Sequence, residues 1–248
     1  MTDVGAVRTG PGADPRREPG HLAEARRSLR ARGWAYLTEA GFTDGTVVDR
    51  RRLLELARCF GTPSDHDAGA AVWPVRARRS GTADTFSLRT GPAPLHTDAA
   101  YSPQPEDVVC LFTVRPAADG GHSRLLPARE AILGLPGGTL AELRSPVWRW
   151  STPGVFRTPE RRVAGYPVLE GADRMRWRSD NLLSAGRCRD FFAAHVERHP
   201  AVVELPSLPD SVLIVDNRTV LHGRTAFDDP DRLLYRVRLR RPDPAPAC

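Results

Sequence analysis

SVLIVDNRTVLHGRTAFDDPDRLLYRVRL, residues Ser211–Leu239, contains two apolar strands around a polar turn. Ser211–Val215 is a continuous apolar run of strand length, too short for a helix. Leu233–Leu239 alternates instead. Successive side chains of a strand point to opposite faces, so Leu233, Tyr235, Val237 and Leu239 share one face, expected against the core. Arg232, Arg236 and Arg238 fall on the other face. Between the strands the run VLIVDNRTVL leads straight into His222.

Outward from this stretch, Asp107–Val114 (DVVCLFTV) and Gly33–Ala40 (GWAYLTEA) read as further strands. A helix is expected over His21–Arg32 and a second over Val47–Phe60, the latter closed by Gly61 and Pro63. Shorter helical pieces are expected at Ala128–Leu133, Thr139–Leu143 and Cys188–His199. The remainder is short runs punctuated by 23 prolines and 21 glycines, a strand-and-turn pattern rather than alternating βαβ units. The expected fold is mainly β with flanking helices around a double-stranded β-helix, the jelly-roll or cupin-like core. With no internal repeat and no interdomain linker, 19–248 is expected to be a single domain. Residues 1–18, rich in Gly, Pro and Arg, are expected to form a disordered tail.

Composition narrows the chemistry. All 36 basic residues are arginine, so lysine-dependent catalysis by Schiff base, pyridoxal phosphate anchoring and a Walker A loop are excluded. The formal charge of +6 is spread along the chain and partly matched by acids, which speaks against nucleic acid as the partner. No apolar run approaches membrane-spanning length and the N-terminus has no signal-like apolar region. Cys59, Cys110, Cys188 and Cys248 have no paired spacing, which fits a reducing, cytoplasmic setting. A homo-oligomer is compatible with all of this.

Of seven histidines, His21 and His66 lie in polar segments. His195 and His199, in HVERH, share a helix face but have Val196 where a zincin helix needs glutamate, so a solvated face is the better account. His96 and Asp98, in PAPLHTDAAY, differ: on an extended strand, residues i and i+2 aim at one point. An HxD pair alone is common by composition. With His222 as a third donor, two imidazoles and a carboxylate leave three open positions on an octahedral metal, which suits iron(II) oxygen chemistry. The arginine row reads either as a water-facing strand face, favoured for Arg238 and Arg240, or, near a metal, as a bidentate partner for a carboxylate.

HTDAAY, GGHS, DNRTVLHGRTAF and DRLLYR, together with the early helix, GWAYL, second helix and GTP, resemble the taurine dioxygenase and clavaminate synthase-like branch of the 2-oxoglutarate oxygenases. The likeness runs over about residues 20 to 241 and is most specific around His222. It implies Fe(II), 2-oxoglutarate and O2 as cofactors, with His96, Asp98 and His222 as iron ligands. It also implies that Arg232 pairs with the distal carboxylate of 2-oxoglutarate, that Ser123 assists it where the family has a threonine, and that Arg236 reaches the substrate. Because Asp98 retains the carboxylate, halogenation is not implied.

What the resemblance implies is hydroxylation of an unactivated C–H in a small-molecule substrate. The arginine supply points to an amino-acid-like substrate bearing a carboxylate, and the lysine-free composition to a natural-product substrate, as in secondary metabolism or antibiotic biosynthesis. Tyr101, Arg236, Arg89 and Asp180 are the substrate-binding candidates, with Trp73, Ser87–Thr90, Phe156, Arg157 and Arg176 as further pocket candidates. Three alternatives stay open: desaturation or cyclisation by the same enzyme class, a nucleic-acid- or protein-modifying oxygenase, and a non-catalytic jelly-roll binding protein.

Overall fold

Strands covered on both faces read as continuous apolar runs, and this is how the centre of the molecule is built. The computed structural model describes residues 7–8, 20–65, 69–77, 85–154, 164–184 and 186–241. The strands run β1 Val7–Arg8, β2 Trp34–Thr38, β3 Thr62–Pro63, β4 Trp73–Val75, β5 Ala93–His96, β6 Val108–Arg115, β7 Ser123–Pro127, β8 Arg149–Trp150, β9 Leu169–Glu170, β10 Arg174–Met175, β11 Leu182–Ser184, β12 Val203–Leu205, β13 Ser211–Asp216, β14 Val220–Arg224 and β15 Leu233–Arg240. The helices are α1 Gly20–Arg32, α2 Arg50–Arg58, α3 Ala128–Ile132, α4 Gly137–Leu143 and α5 Arg189–Glu197.

The larger sheet has the order β1-β2-β13-β6-β15-β3, with β4 also on β15. The smaller has the order β12-β7-β14-β5. Leu213 and Val215 of β13 meet Leu125 and Val220 of the smaller sheet in one apolar cluster between the sheets. The opposite face of the larger sheet, with Val212, Ile214, Cys110, Phe112, Val237 and Leu239, packs on α1 and α2. The opposite face of the smaller sheet packs Leu126 and Leu221 against Leu143, Phe192 and Val196 of α4 and α5. The result is a helix–sheet–sheet–helix sandwich, the double-sheet β fold anticipated from the sequence. Leu233, Tyr235, Val237 and Leu239 do face the α1–α2 core.

Two expectations change. α2 begins at Arg50 rather than near Val47, because the Asp49 side chain caps it by accepting from Arg52 N at 2.9 Å. Val7–Arg8, expected to lie in a disordered tail, forms β1 and pairs parallel with Leu37 and Thr38, since β2 has an open edge there with backbone groups to satisfy. The rest of the 1–18 tail, His66, Phe156 and Arg157 lie outside the described residues. Cys59, Cys110 and Cys188 form no disulfide among the described residues. Among the described residues no helix is long and apolar enough to cross a membrane.

Candidate active site

His96 and His222 are directly opposed across β5 and β14, and their rings lie 4.5 Å apart, between the two sheets. Asp98 lies beyond the end of β5, in a turn, so the pleat of an extended strand is not what aims it. Its backbone is clamped by Asn217 instead. Asp98 N donates to Asn217 Oδ1 at 2.7 Å, and Asn217 Nδ2 donates to Asp98 O at 3.1 Å and to Glu106 O at 2.8 Å. One donor atom from each of His96, Asp98 and His222 falls within 4.8 Å of the others.

The state of these groups suits a divalent cation. His96 Nδ1 is 2.7 Å from Pro94 O. A carbonyl can only accept, so Nδ1 carries the proton and the Nε2 lone pair is left for the site. Burial and then the neighbouring His96 push His222 down to about 3, so it is a neutral imidazole at physiological pH. Burial alone would raise Asp98, but the positive charge of Arg236, and further off of Arg238, holds its carboxyl well below the usual range. His222 Nδ1 is buried without a hydrogen-bond partner among the described residues. Orphaned buried polar atoms of this kind point to a missing ligand.

The cavity beside the triad is lined by Ser123, Arg178, Arg224, Arg232, Leu234 and Arg236, among others. Arg232 is 4% exposed. It donates to Gly121 O at 3.3 Å, its Nε has no partner, and no carboxylate of the described residues pairs with it. Burial lowers it to about 10, so it is still a cation at neutral pH. The Gly-Gly turn is required for this. At Gly121, with φ +67°, an added Cβ would sit 3.0 Å from Arg232 Nε, and at Gly120 one would sit 2.0 Å from Ala226 O.

Arg224 and Arg232 both lie 4.8 Å from the Phe227 ring. Arg224 donates to the carbonyls of Phe86 (3.0 Å), Arg89 (2.6 Å) and Gly91 (3.1 Å), tying down the segment that forms the cavity wall. Burial and then the like charge of Arg232 lower it to about 9.

The sequence profile described as Taurine catabolism dioxygenase TauD, TfdA family matches residues 1–169 and 184–238. The chain belongs to the TauD/TfdA family. It is 31% identical over 164 residues to an L-lysine 3-hydroxylase of Catenulispora acidiphila, a match covering 57% of this chain and 44% of that protein, so it spans less than half of that relative. Among solved structures it resembles an asparagine oxygenase in complex with Fe(II), 3-hydroxyasparagine and succinate. There the TM-score is 0.71 at 21% identity, over 88% of this chain and 77% of that one. It also resembles the non-haem iron oxygenase OrfP in complex with Fe and alpha-ketoglutaric acid, with a TM-score of 0.69 at 19% identity, over 90% and 80% of the two chains.

Within this TauD/TfdA chain the remaining sequence candidates divide. Arg89 and Asp180 come together at 3.7 Å, and Asp180 also holds Arg178 at 2.6 and 2.9 Å. Arg178 and Arg89 both lie over the Phe86 ring, which is itself 5.3 Å from that of His96. Arg236 Nη1 is 3.0 Å from Asp98 Oδ2, so it touches the triad carboxylate. Tyr101 is half-buried, hydrogen bonded to Arg238 and pushed up by burial, and is not among the residues lining the cavity. Trp73 stands opposite Arg236 on β4, with its indole 3.4 Å from Ser87 Oγ. Arg176 is a strut: it donates to Ala100 O, Ser102 O and Glu170.

Arg238 does not face water. It is 3% exposed and its Nη1 lies 3.3 Å from Glu106 Oε2, on a glutamate buried outright. The even-numbered face of β15 looks into the space between the sheets, so the residue pattern gave the face but not what covers it.

Three residues with roles here were not singled out from the sequence. Asn217 was visible only as part of DNRTVLHG. Arg224 was visible only as part of HGRTAF. Glu197, inside HVERH, accepts from Leu95 N at 2.5 Å and holds Arg124 at 2.7 Å, steadying β5 next to His96. His195 lies apart from the triad, with Nε2 3.0 Å from Ala131 O.

Proposed function

We propose that this chain is an Fe(II)- and 2-oxoglutarate-dependent dioxygenase that hydroxylates an unactivated C–H of a free amino acid or close derivative. 2-Oxoglutarate, O2 and R–H would become succinate, CO2 and R–OH. The observation that carries this reading is Arg232: a buried guanidinium with no carboxylate partner among the described residues, in the same cavity as three convergent side chains of metal-ligand type. A buried cation of that kind calls for an anion from outside the chain.

In this reading His96, Asp98 and His222 hold iron(II), and Arg232 with Ser123 receives the distal carboxylate of 2-oxoglutarate. When bound, iron(II) with 2-oxoglutarate and oxygen supplies the oxidising power that breaks the C–H bond. The rest is work for the polypeptide. Pro94 O fixes the His96 tautomer, Arg236 keeps Asp98 ionised, and the Phe86 segment pinned by Arg224 covers the centre from water. Arg178, Asp180 and Arg89, at the margin beside Phe86, offer both signs of charge, which suits a zwitterionic amino acid. The names of the lysine, asparagine and OrfP relatives support the same substrate class.

The test is an anaerobic titration of iron(II) and 2-oxoglutarate into the purified chain, followed by a screen of free amino acids for substrate-stimulated succinate. One iron per chain with a weak visible charge-transfer band, lost in both His96→Ala and His222→Ala, is the expected result. Full iron affinity in both variants, or no succinate with any amino acid, would refute the assignment.

A further inference from the structure

A second concave site lies away from the triad cavity, on the outer side of the β9–β10 hairpin. Its volume is about 460 Å³, within the range of small-ligand sites, and Gln104 and the arginines at 174, 176, 218, 240 and 241 line it. Two of these guanidiniums are interior: Arg176 is 2% and Arg218 8% exposed. Both rest on one carboxylate. Glu170 Oε1 takes Arg176 Nε at 3.0 Å and Nη2 at 2.8 Å, while Oε2 takes Arg218 Nη2. One negative charge between two buried cations leaves a net positive charge out of bulk water, and Arg218 Nε has no partner.

The rim increases that excess. Arg174, opposite Glu170 in the hairpin register, makes no ion pair with any described residue. Among the described residues Arg240 reaches a carbonyl, Gln104 O, at 3.2 Å and no carboxylate. The other lining carboxylate, Asp107, already accepts from Arg241 N at 2.9 Å, and Arg241 Nη2 is 3.0 Å from Asp216 Oδ2. Arg241 also borders a neighbouring depression with Arg26, Arg30, Arg32 and Arg129 against Asp173 and Asp216, so the surrounding field stays positive.

We propose that this pocket binds the phosphoryl group of a small anionic ligand. Several guanidiniums converging from different elements match a tetrahedral dianion better than a single carboxylate. Arg174 and Arg240 on the rim and Arg218 through Nε can donate to phosphate oxygens, while Arg176, whose N–H groups are taken up by Glu170, Ala100 and Ser102, adds charge. The lining holds no aromatic ring on which a nucleobase could stack and no large apolar anchor of the kind protein interfaces use. A small molecule therefore fits better than a nucleic acid or an acidic protein.

The experiment is calorimetric titration of the metal-free full-length chain with inorganic pyrophosphate in 150 mM NaCl, beside the double variant Arg174→Ser/Arg240→Ser. The expected result is a dissociation constant below about 1 mM, weakened at least tenfold in the variant. Titration of iron and 2-oxoglutarate into the same two proteins should give matching curves, which separates this site from the triad cavity and its proposed function. Absence of binding above the chloride background would overturn the proposal, as would equal affinity in the variant. So would a single-stranded oligonucleotide that binds more tightly than pyrophosphate and loses affinity in the variant.

Discussion

At the scale of single residues, Arg232 and Arg238 make a controlled comparison, since both are buried and Arg232 immediately precedes the strand that carries Arg238. Arg238 has Glu106 as its counter-ion and Arg232 has none among the described residues. Arg232→Ala should weaken 2-oxoglutarate binding by about 30- to 1,000-fold, from loss of a charge-assisted pair worth about 2–4 kcal/mol, with iron binding retained. Arg238→Ala should instead lower stability by about 3–5 kcal/mol, because it strands a buried glutamate, which denaturant unfolding would register. Ligand titration and unfolding curves together check both outcomes. His96, Asp98 and His222 were legible in the sequence because a metal restricts which side chains can serve it. Arg238 was misread because spacing assigns a residue to a face and says nothing of what packs over that face. Asn217 was silent because its part is played by hydrogen bonds to a backbone 119 residues away.

At the scale of elements, the segment over Phe86–Gly91 is held to β14 mainly through Arg224. Three carbonyls accept from that guanidinium, and hydrogen bonds to a charged group are worth about 1.5–3 kcal/mol each. In Arg224→Met, the amides of Leu88, Arg89 and Gly91, bonded here to Thr85, Phe86 and Phe227 carbonyls, should exchange at least about tenfold faster. Amides of β13 should keep their protection. Hydrogen-exchange mass spectrometry decides the matter, and unchanged exchange in the segment would remove Arg224 as its anchor. The long elements were legible because apolar period and length distinguish them: β6, β13, β15 and α1 fall within a residue or two of expectation. The turn that carries Asp98 was not, because its shape depends on Asn217 and Glu106 rather than on local preference.

At the scale of the whole molecule, the buried histidine sets the acid limit of the metal-free protein. His222 stays neutral in the fold down to about pH 3, whereas in the unfolded chain it protonates near its ordinary 6.5. The unfolded state therefore binds more protons over that window. The contribution to stability is fully present above pH 6.5 and is lost as pH falls towards 3, at about 1.4 kcal/mol per pH unit. Asp98, held low in the fold, acts in the same direction at the acid end. Denaturant midpoints from pH 7 to 4 should fall steadily in the metal-free wild type and fall less in His222→Gln. Equal slopes would mean that other groups govern the decline.

β5 is the outermost strand of its sheet, bonded on one side to β14. The Leu95 amide is taken up by one oxygen of the Glu197 carboxylate, and the other oxygen holds Arg124 of β7, beyond β14. A single carboxylate on α5 thus staples β5 to β7 across the face of the sheet, apart from the ladder that joins each of them to β14. Glu197 is in this sense a rivet that keeps an outer strand, and His96 with it, from fraying. Glu197→Ala should let the Leu95 amide exchange at least about tenfold faster, while Glu197→Gln, which keeps an acceptor for that amide, should retain most of its protection.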